Sequence, residues 1–263
     1  MLWALFKATA SLSRVDTCAI AFLSVLLPTC YRTSDIWLSV TNAAPILPIC
    51  MCGFIINDLG DIEKDKENHP NRPLPMQTIS VLTASILYFT LLAASLILIK
   101  VYVDVSRVYL YLVLLLGLIN YNYIVSYVPV LKNIYVAAVV LVPIAITASL
   151  VQNTATAYWI APSLFMVVLG REMLMDVQDA KGDAQTLVKK IGLQTGERTA
   201  FIIKFVGSAW LSVVIRNTTD LIVFVLVILV DVIGVAFWHQ HDYRKRIIHA
   251  MKLQPLLGIN YLL

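Results

Sequence analysis

An all-α integral membrane protein, a bundle of eight to nine transmembrane helices, is the fold class this sequence predicts, and three observations predict it. Of its 263 residues 59% are hydrophobic and only 14% are charged, with a mean hydropathy of +0.80, more than a soluble domain hides in its core. The apolar residues gather in runs of about 20, the length that crosses a hydrocarbon core of about 30 Å as a helix. The sequence has no strand-like alternation, Gly/Ser linker or low-complexity tract, so residues 1–263 read as a single polytopic membrane domain.

The spans follow in order. Residues 16–31 form the first; Met1–Phe6 and Lys7 before it are too short a run, in the wrong charge order, for a cleavable signal peptide. Residues 36–57 form the second and run into an acidic stretch. Residues 78–101, 107–127 and 134–152 supply the third to fifth, and 156–175 the sixth, which runs into a second acidic stretch. Residues 199–216 and 221–238 complete eight spans. Asp231 interrupts the last of these and faces either a functional cavity or a polar partner on another helix. A ninth span at 247–263 carries Lys252, Gln254 and Pro255 and is marginal in length, so it is full, tilted or partly interfacial. Cys18, Cys30, Cys50 and Cys52 all lie inside spans, where small apolar packing suits them better than a disulfide or zinc site.

This order places the N-terminus and the connections after even-numbered spans on one side of the membrane. The opposite side has only Arg32, Lys100, Arg107 and Arg216, so the positive-inside rule puts both acidic stretches in the cytoplasm. The membrane is the plasma membrane for a bacterial chain and an organellar one otherwise. The net charge of +4 comes from basic residues spread over several connections and serves topology; it does not indicate a nucleic-acid partner.

Carboxylates are costly in such a chain, yet of its 16 Asp and Glu most fall in or beside the two stretches, Asn57-Asp58-x-x-Asp61-x-x-x-Asp65 and Asp176-x-x-Asp179-x-x-x-Asp183. Each follows an even-numbered span and precedes basic residues and another span, an internal echo that suggests two related halves facing one site. On a helix the three-and-four spacing aligns Asp58, Asp61 and Asp65, with Asn57 joining Asp61, and likewise Asp176, Asp179 and Asp183. A cage of oxygen ligands without nitrogen or sulfur suits a hard divalent cation such as Mg²⁺, which keeps positions for substrate phosphate. A solvated membrane-proximal loop explains one such cluster. Two of matched spacing, on one side and each with cations nearby, favour a metal–phosphate site.

The first stretch, continued by Asn68-His69-Pro70-Asn71-Arg72-Pro73-Leu74-Pro75, resembles the first signature of the UbiA-type intramembrane prenyltransferases. Arg171-Glu172-Met173-Leu174-Met175-Asp176-Val177-Gln178-Asp179-Ala180-Lys181-Gly182-Asp183, with Thr186-Leu187 and Gly192, resembles the second. Tyr127-x-x-x-Leu131-Lys132-Asn133 looks like that family's tyrosine–lysine loop, and Arg14 is similar to the arginine opening its first helix. The chain departs from the pattern at Val15, where proline is usual, at Met175, where lysine often stands, and at Val188, where Thr-Leu-Pro is common; these bear on the acceptor more than on the shared chemistry.

The resemblance implies about nine helices around a central cavity. It further implies Mg²⁺-dependent transfer of a prenyl group from a prenyl diphosphate to a small lipophilic or aromatic acceptor within the bilayer. Asn57, Asp61 and Asp65 would ligate one Mg²⁺, Asp179 and Asp183 the other, with Asp58 and Asp176 as further ligands or their partners. Arg72 and Lys132 are candidates for diphosphate contact, the alternative being a topogenic charge. Tyr121, Tyr123 and Tyr127 would give an electron-rich wall for an allylic cation, or an interfacial aromatic belt. The motif details sit closer to the homogentisate and geranylgeranylglyceryl-phosphate branches than to the 4-hydroxybenzoate branch. An intramembrane terpene cyclase uses the same ionisation and is the nearest rival. A transporter or scaffold is remoter, because the acids lie at a membrane surface and not at the midplane.

Overall fold

The computed structural model describes residues 2–128, 131–180 and 186–255, without the side chains of 2–5, 125–127 and 241–242. Among the described residues the chain is helical with no strand, and it falls into two compact units, one up to Tyr127 and one from Val128 onward.

The first unit runs through α1 (Leu2–Leu12), α2 (Val15–Thr33), α3 (Ile36–Ala43), α4 (Ile46–Gly60), α5 (Ile62–Asn68), α6 (Val81–Tyr102), α7 (Val108–Ile119) and α8 (Tyr121–Tyr127). Its hub is α4, packed against α2, α6 and α7, with Ile46, Ile49, Cys52 and Ile55 fully buried. Pro45, which lacks an N–H to pair, opens α4 and separates it from α3. The Asp35 and Ser80 side chains accept backbone N–H bonds that start α3 and α6. The buried Tyr111 hydroxyl on α7 donates to the Asn42 carbonyl on α3 at 2.7 Å.

The second unit runs through α9 (Lys132–Val151), α10 (Thr154–Gln178), α11 (Leu187–Ile191), α12 (Leu193–Trp210), a 3₁₀ turn (Leu211–Val214), α13 (Thr218–Phe237) and α14 (His241–Met251). Here α10 is the hub, against α9 and α12. Gly170 and Gly207 allow that approach: a Cβ on Gly170 would lie 2.5 Å from the Ala200 carbonyl oxygen, and one on Gly207 2.7 Å from the Met166 Cβ. Two apolar clusters hold the unit, one around Ile144, Ile160, Leu164 and Val227, the other around Met173, Leu174, Trp238 and Met251.

Among the described residues five segments are long and apolar enough to cross a membrane: Val15–Thr33, Ile36–Gly60, Val81–Tyr102, Lys132–Val151 and Thr218–Phe237. Ile36, Leu82, Phe89 and Ile97 turn more than half their surface outward, as lipid-facing side chains do. This is a multi-pass membrane protein.

Several expected spans take a different form. The fourth divides into α7 and α8 at Asn120, whose side chain turns back to the Leu116 carbonyl. The sixth and seventh are present as α10 and α12, but Arg171, Glu172 and Asp176 in one, and Glu197, Arg198 and Lys204 in the other, keep them off the apolar set. An additional helix, α1, precedes the first span. In place of the start of a ninth apolar span stands α14, which buries Ile247, Ile248 and Met251 and exposes Lys245 and Arg246; residues 256–263 lie outside the described residues.

Candidate active site

The first acidic stretch straddles a helix break. Asn57 and Asp58 close α4, Asp65 lies in α5, and Asp61 between them takes φ −102° and ψ 14°. The expected single helical face over 57–65 is therefore interrupted, although the Asp61 and Asp65 N–H groups still donate four residues back at 3.0 and 2.8 Å. The cause is local. Asn122 on α8 donates its amide to the carbonyls of Ile56 and Asn57 at 3.2 and 3.3 Å, adding a second donor to the Asn57 carbonyl that already accepts the Asp61 N–H. It fits because Gly60 has no Cβ in its way.

Two guanidinium groups occupy the buried acids of this unit. Asp58 and Asp65 are each 3% exposed. Arg14 Nη2 donates to Asp58 at 2.6 Å, while Arg72 Nη1 reaches Asp65 at 2.8 and 2.6 Å and Asp58 at 3.5 Å. Arg14 stands between α1 and α2 in the left-handed region, φ 45°, which costs a non-glycine residue about 1–2 kcal/mol. The Asp58 pair and the Phe54 ring, 4.8 Å from the guanidinium carbon, hold it there. Arg72 is carried on a chain of turns, its N–H donating to the His69 carbonyl at 3.0 Å, with Pro73 stiffening the next step.

The second unit repeats the design. α10 ends at Asp179, whose φ −95° and ψ 13° match Asp61 closely, both in the sparsely populated bridge region common at active sites. Asp176, 1% exposed, accepts from Lys132 Nζ at 2.6 Å and from Asn133 Nδ2 at 2.9 Å. Both donors come from the first turn of α9. Asp61 and Asp179 are half-buried and have further interactions of their own. Asp183, with Lys181 and Gly182, lies outside the described residues, as does the side chain of Tyr127. Tyr121 is half-buried, and Tyr123 is 65% exposed.

The described donors fit a hard cation. All are oxygens, and Asn57 Oδ1 is buried without a hydrogen-bond partner, an acceptor of the kind a metal ion satisfies. Among the described residues no three His, Cys, Asp or Glu side chains converge. Either set alone is thus an incomplete ligand sphere, the arrangement Mg²⁺ accepts because it retains water and phosphate ligands.

Asp231 takes the second of its two readings. Lys204 Nζ lies 3.0 Å away, Ser208 Oγ donates at 2.5 Å, Gln254 Nε2 donates at 2.9 Å, and Lys204 also donates to Gln254. It is a buried helix contact. The hold of Asn133 on Asp176 had no sequence signal beyond its place beside Lys132. Asn217 caps α13 by accepting the Asp220 N–H at 2.9 Å.

A model of the UbiA prenyltransferase family matches residues 2–252. The chain is 28% identical over 211 residues to the digeranylgeranylglyceryl phosphate synthase of Methanopyrus kandleri, covering 79% of this chain and 76% of that protein. To the digeranylgeranylglyceryl phosphate synthase of Pyrococcus furiosus it is 32% identical over 155 residues, 59% of this chain and 55% of that one. Among solved structures, a UbiA homologue from Aeropyrum pernix K1 superposes with a TM-score of 0.69 at 14% identity, over 98% of this chain and 97% of that chain. A UbiA homologue from Archaeoglobus fulgidus bound to GPP and Mg²⁺ superposes with a TM-score of 0.64 at 16% identity, over 97% and 98%. At these identities the likeness establishes a shared fold.

Proposed function

The chain belongs to the UbiA prenyltransferase family, and on that premise we propose that it transfers a prenyl group from a prenyl diphosphate to the hydroxyl of a glycerophosphate-type lipid, with Mg²⁺ as cofactor. The observation that carries the reading is the pairing of acid and cation in each unit: Asp58 and Asp65 with Arg14 and Arg72, Asp176 with Lys132. Carboxylates for a metal beside cations for an anion are the two needs of a metal–diphosphate ligand.

Asn57, Asp61 and Asp65 would hold one Mg²⁺, Asp179 and Asp183 the other. When bound, the metal neutralises the diphosphate as the allylic C–O bond breaks. Arg72 and Lys132 take diphosphate oxygens and stabilise the negative charge that grows on them. Asp58 and Asp176, occupied by cations, act as anchors for Arg14, Arg72 and Lys132. Tyr121, Tyr123 and Tyr127 would supply electron-rich rings for the allylic cation. The acceptor oxygen then bonds to the prenyl carbon and its proton is released. The acceptor class rests on the likeness to digeranylgeranylglyceryl phosphate synthases. We place both motifs on the cytoplasmic side of an eight- or nine-span bundle.

The test is release of inorganic diphosphate from geranyl, farnesyl and geranylgeranyl diphosphates by purified protein in detergent. Mg²⁺-dependent release that rises with geranylgeranylglyceryl phosphate supports the proposal. Stimulation by phenolic acceptors alone would move the acceptor to the aromatic class, and a cyclic product without any acceptor would make the protein a cyclase.

A further inference from the structure

We propose that Arg72 is a built-in counter-ion that competes with the divalent cation for Asp65, so that diphosphate bound to Arg72 raises the metal affinity of the first acidic motif. This deepens the diphosphate reading above and rests on it.

The geometry sets up the competition. Arg72 spans both oxygens of Asp65 with the single nitrogen Nη1, at 2.8 and 2.6 Å, and the same nitrogen lies 3.5 Å from Asp58. Both acids are almost fully buried, where a neighbouring charge is screened less than at an open surface. A metal ion on Asp65 therefore meets a guanidinium on the same carboxylate, and the two cations repel. Arg14 is tied differently: it sits on Asp58, over the Phe54 ring, in a fixed corner between two helices. Arg72 comes from the turns between α5 and α6. Its described contacts all use Nη1, and a guanidinium carries five N–H donors, so the rest of the fork is available to an anion.

Diphosphate on those donors takes up the guanidinium charge and relieves the repulsion at Asp65. By linkage the metal strengthens anion binding by the same factor. Arg72 thus acts through Asp65 as a positioning residue for the metal, in addition to its contact with the anion. The sign is the distinctive consequence. A residue that only supports the site weakens metal binding when removed; this one strengthens it.

The experiment is Mn²⁺ binding to the purified full chain in detergent, followed by electron paramagnetic resonance, for wild type, Arg72→Gln, Arg72→Met and Arg72→Lys. Farnesyl diphosphate binding in EDTA is measured in parallel. Arg72→Gln and Arg72→Met should bind Mn²⁺ about tenfold tighter, the order expected for removing one partly screened charge a few Å away, and farnesyl diphosphate about tenfold more weakly. Either variant suffices if the other does not fold. Arg72→Lys, which keeps the charge, should stay within about threefold of wild type for Mn²⁺ on the same ground. Unchanged or weaker Mn²⁺ binding in the neutral variants, or equal tightening in Arg72→Lys, overturns the proposal and leaves the prenyl-transfer reading standing. Wild type that binds no Mn²⁺ removes the metal site, and both readings with it.

Discussion

At the scale of single residues, the aspartates of each motif divide into two kinds. Asp58 and Asp176 are buried and hold cations at 2.6 Å; Asp61 and Asp179 sit half-buried at helix breaks. Asp61→Ala and Asp179→Ala should each lower Mg²⁺-dependent diphosphate release at least about 100-fold, the scale of losing a principal electrostatic stabiliser. Thermal unfolding in detergent should hardly move, since neither residue packs a core. Asp176→Asn should act otherwise. Asn133 keeps a hydrogen-bond partner but Lys132 loses its ion pair, so KM for the prenyl diphosphate should rise more than kcat falls, with the Mg²⁺ requirement retained. A loss confined to kcat would return Asp176 to the metal ligands. The carboxylates were legible in sequence because charge is rare in this chain and the three-and-four spacing occurs twice. Their partners were less so: Asn133 is one amide in an apolar run, and only the fold brings it to Asp176.

At the scale of elements, the positions of the helices were readable from apolar length, and their interruptions were not. A hydropathy run does not register that Asn120 turns its side chain onto α7, or that Asn122 caps α4 where Gly60 makes room. The same limit hid the polar cluster between α12, α13 and the residues after α14. Asp231 was visible as an intrusion, but nothing in the sequence paired it with Lys204, which is fully buried inside the seventh expected span. Because both ions are out of solvent, Lys204→Met or Asp231→Leu alone should each cost about 3–5 kcal/mol by leaving a buried charge unpaired. The double variant should recover most of that loss, measured as thermal unfolding in detergent. Additive losses would mean that the two do not act as a pair. Gly207→Val tests the α10–α12 contact: its side chain would press on Met166 and the Ser163 carbonyl, and overpacking of that kind costs about 1–3 kcal/mol.

At the scale of the whole molecule, composition alone identified a multi-pass membrane protein, and the long apolar helices and the family both bear this out. Orientation is a separate question, which rests on where the cations fall. Within the first unit the 22 residues of α6 separate two exposed positions, Glu67 at the end of α5 and Val105 before α7. The basic residues Lys64, Lys66 and Arg72 lie on the Glu67 side, and moving them across the bilayer is what the positive-inside rule opposes. A single cysteine introduced at Glu67 should therefore react with a membrane-impermeant maleimide only from the cytoplasmic face, and one at Val105 only from the opposite face. Background is low because Cys18, Cys50 and Cys52 are buried and Cys30 can be replaced by alanine. Labelling of both positions from the same face would show that α6 does not cross. Labelling with the faces exchanged would place the acidic motif outside the cytoplasm, away from any prenyl diphosphate made there, and would remove the cytoplasmic assignment while leaving the metal chemistry to be judged on Asp61 and Asp179.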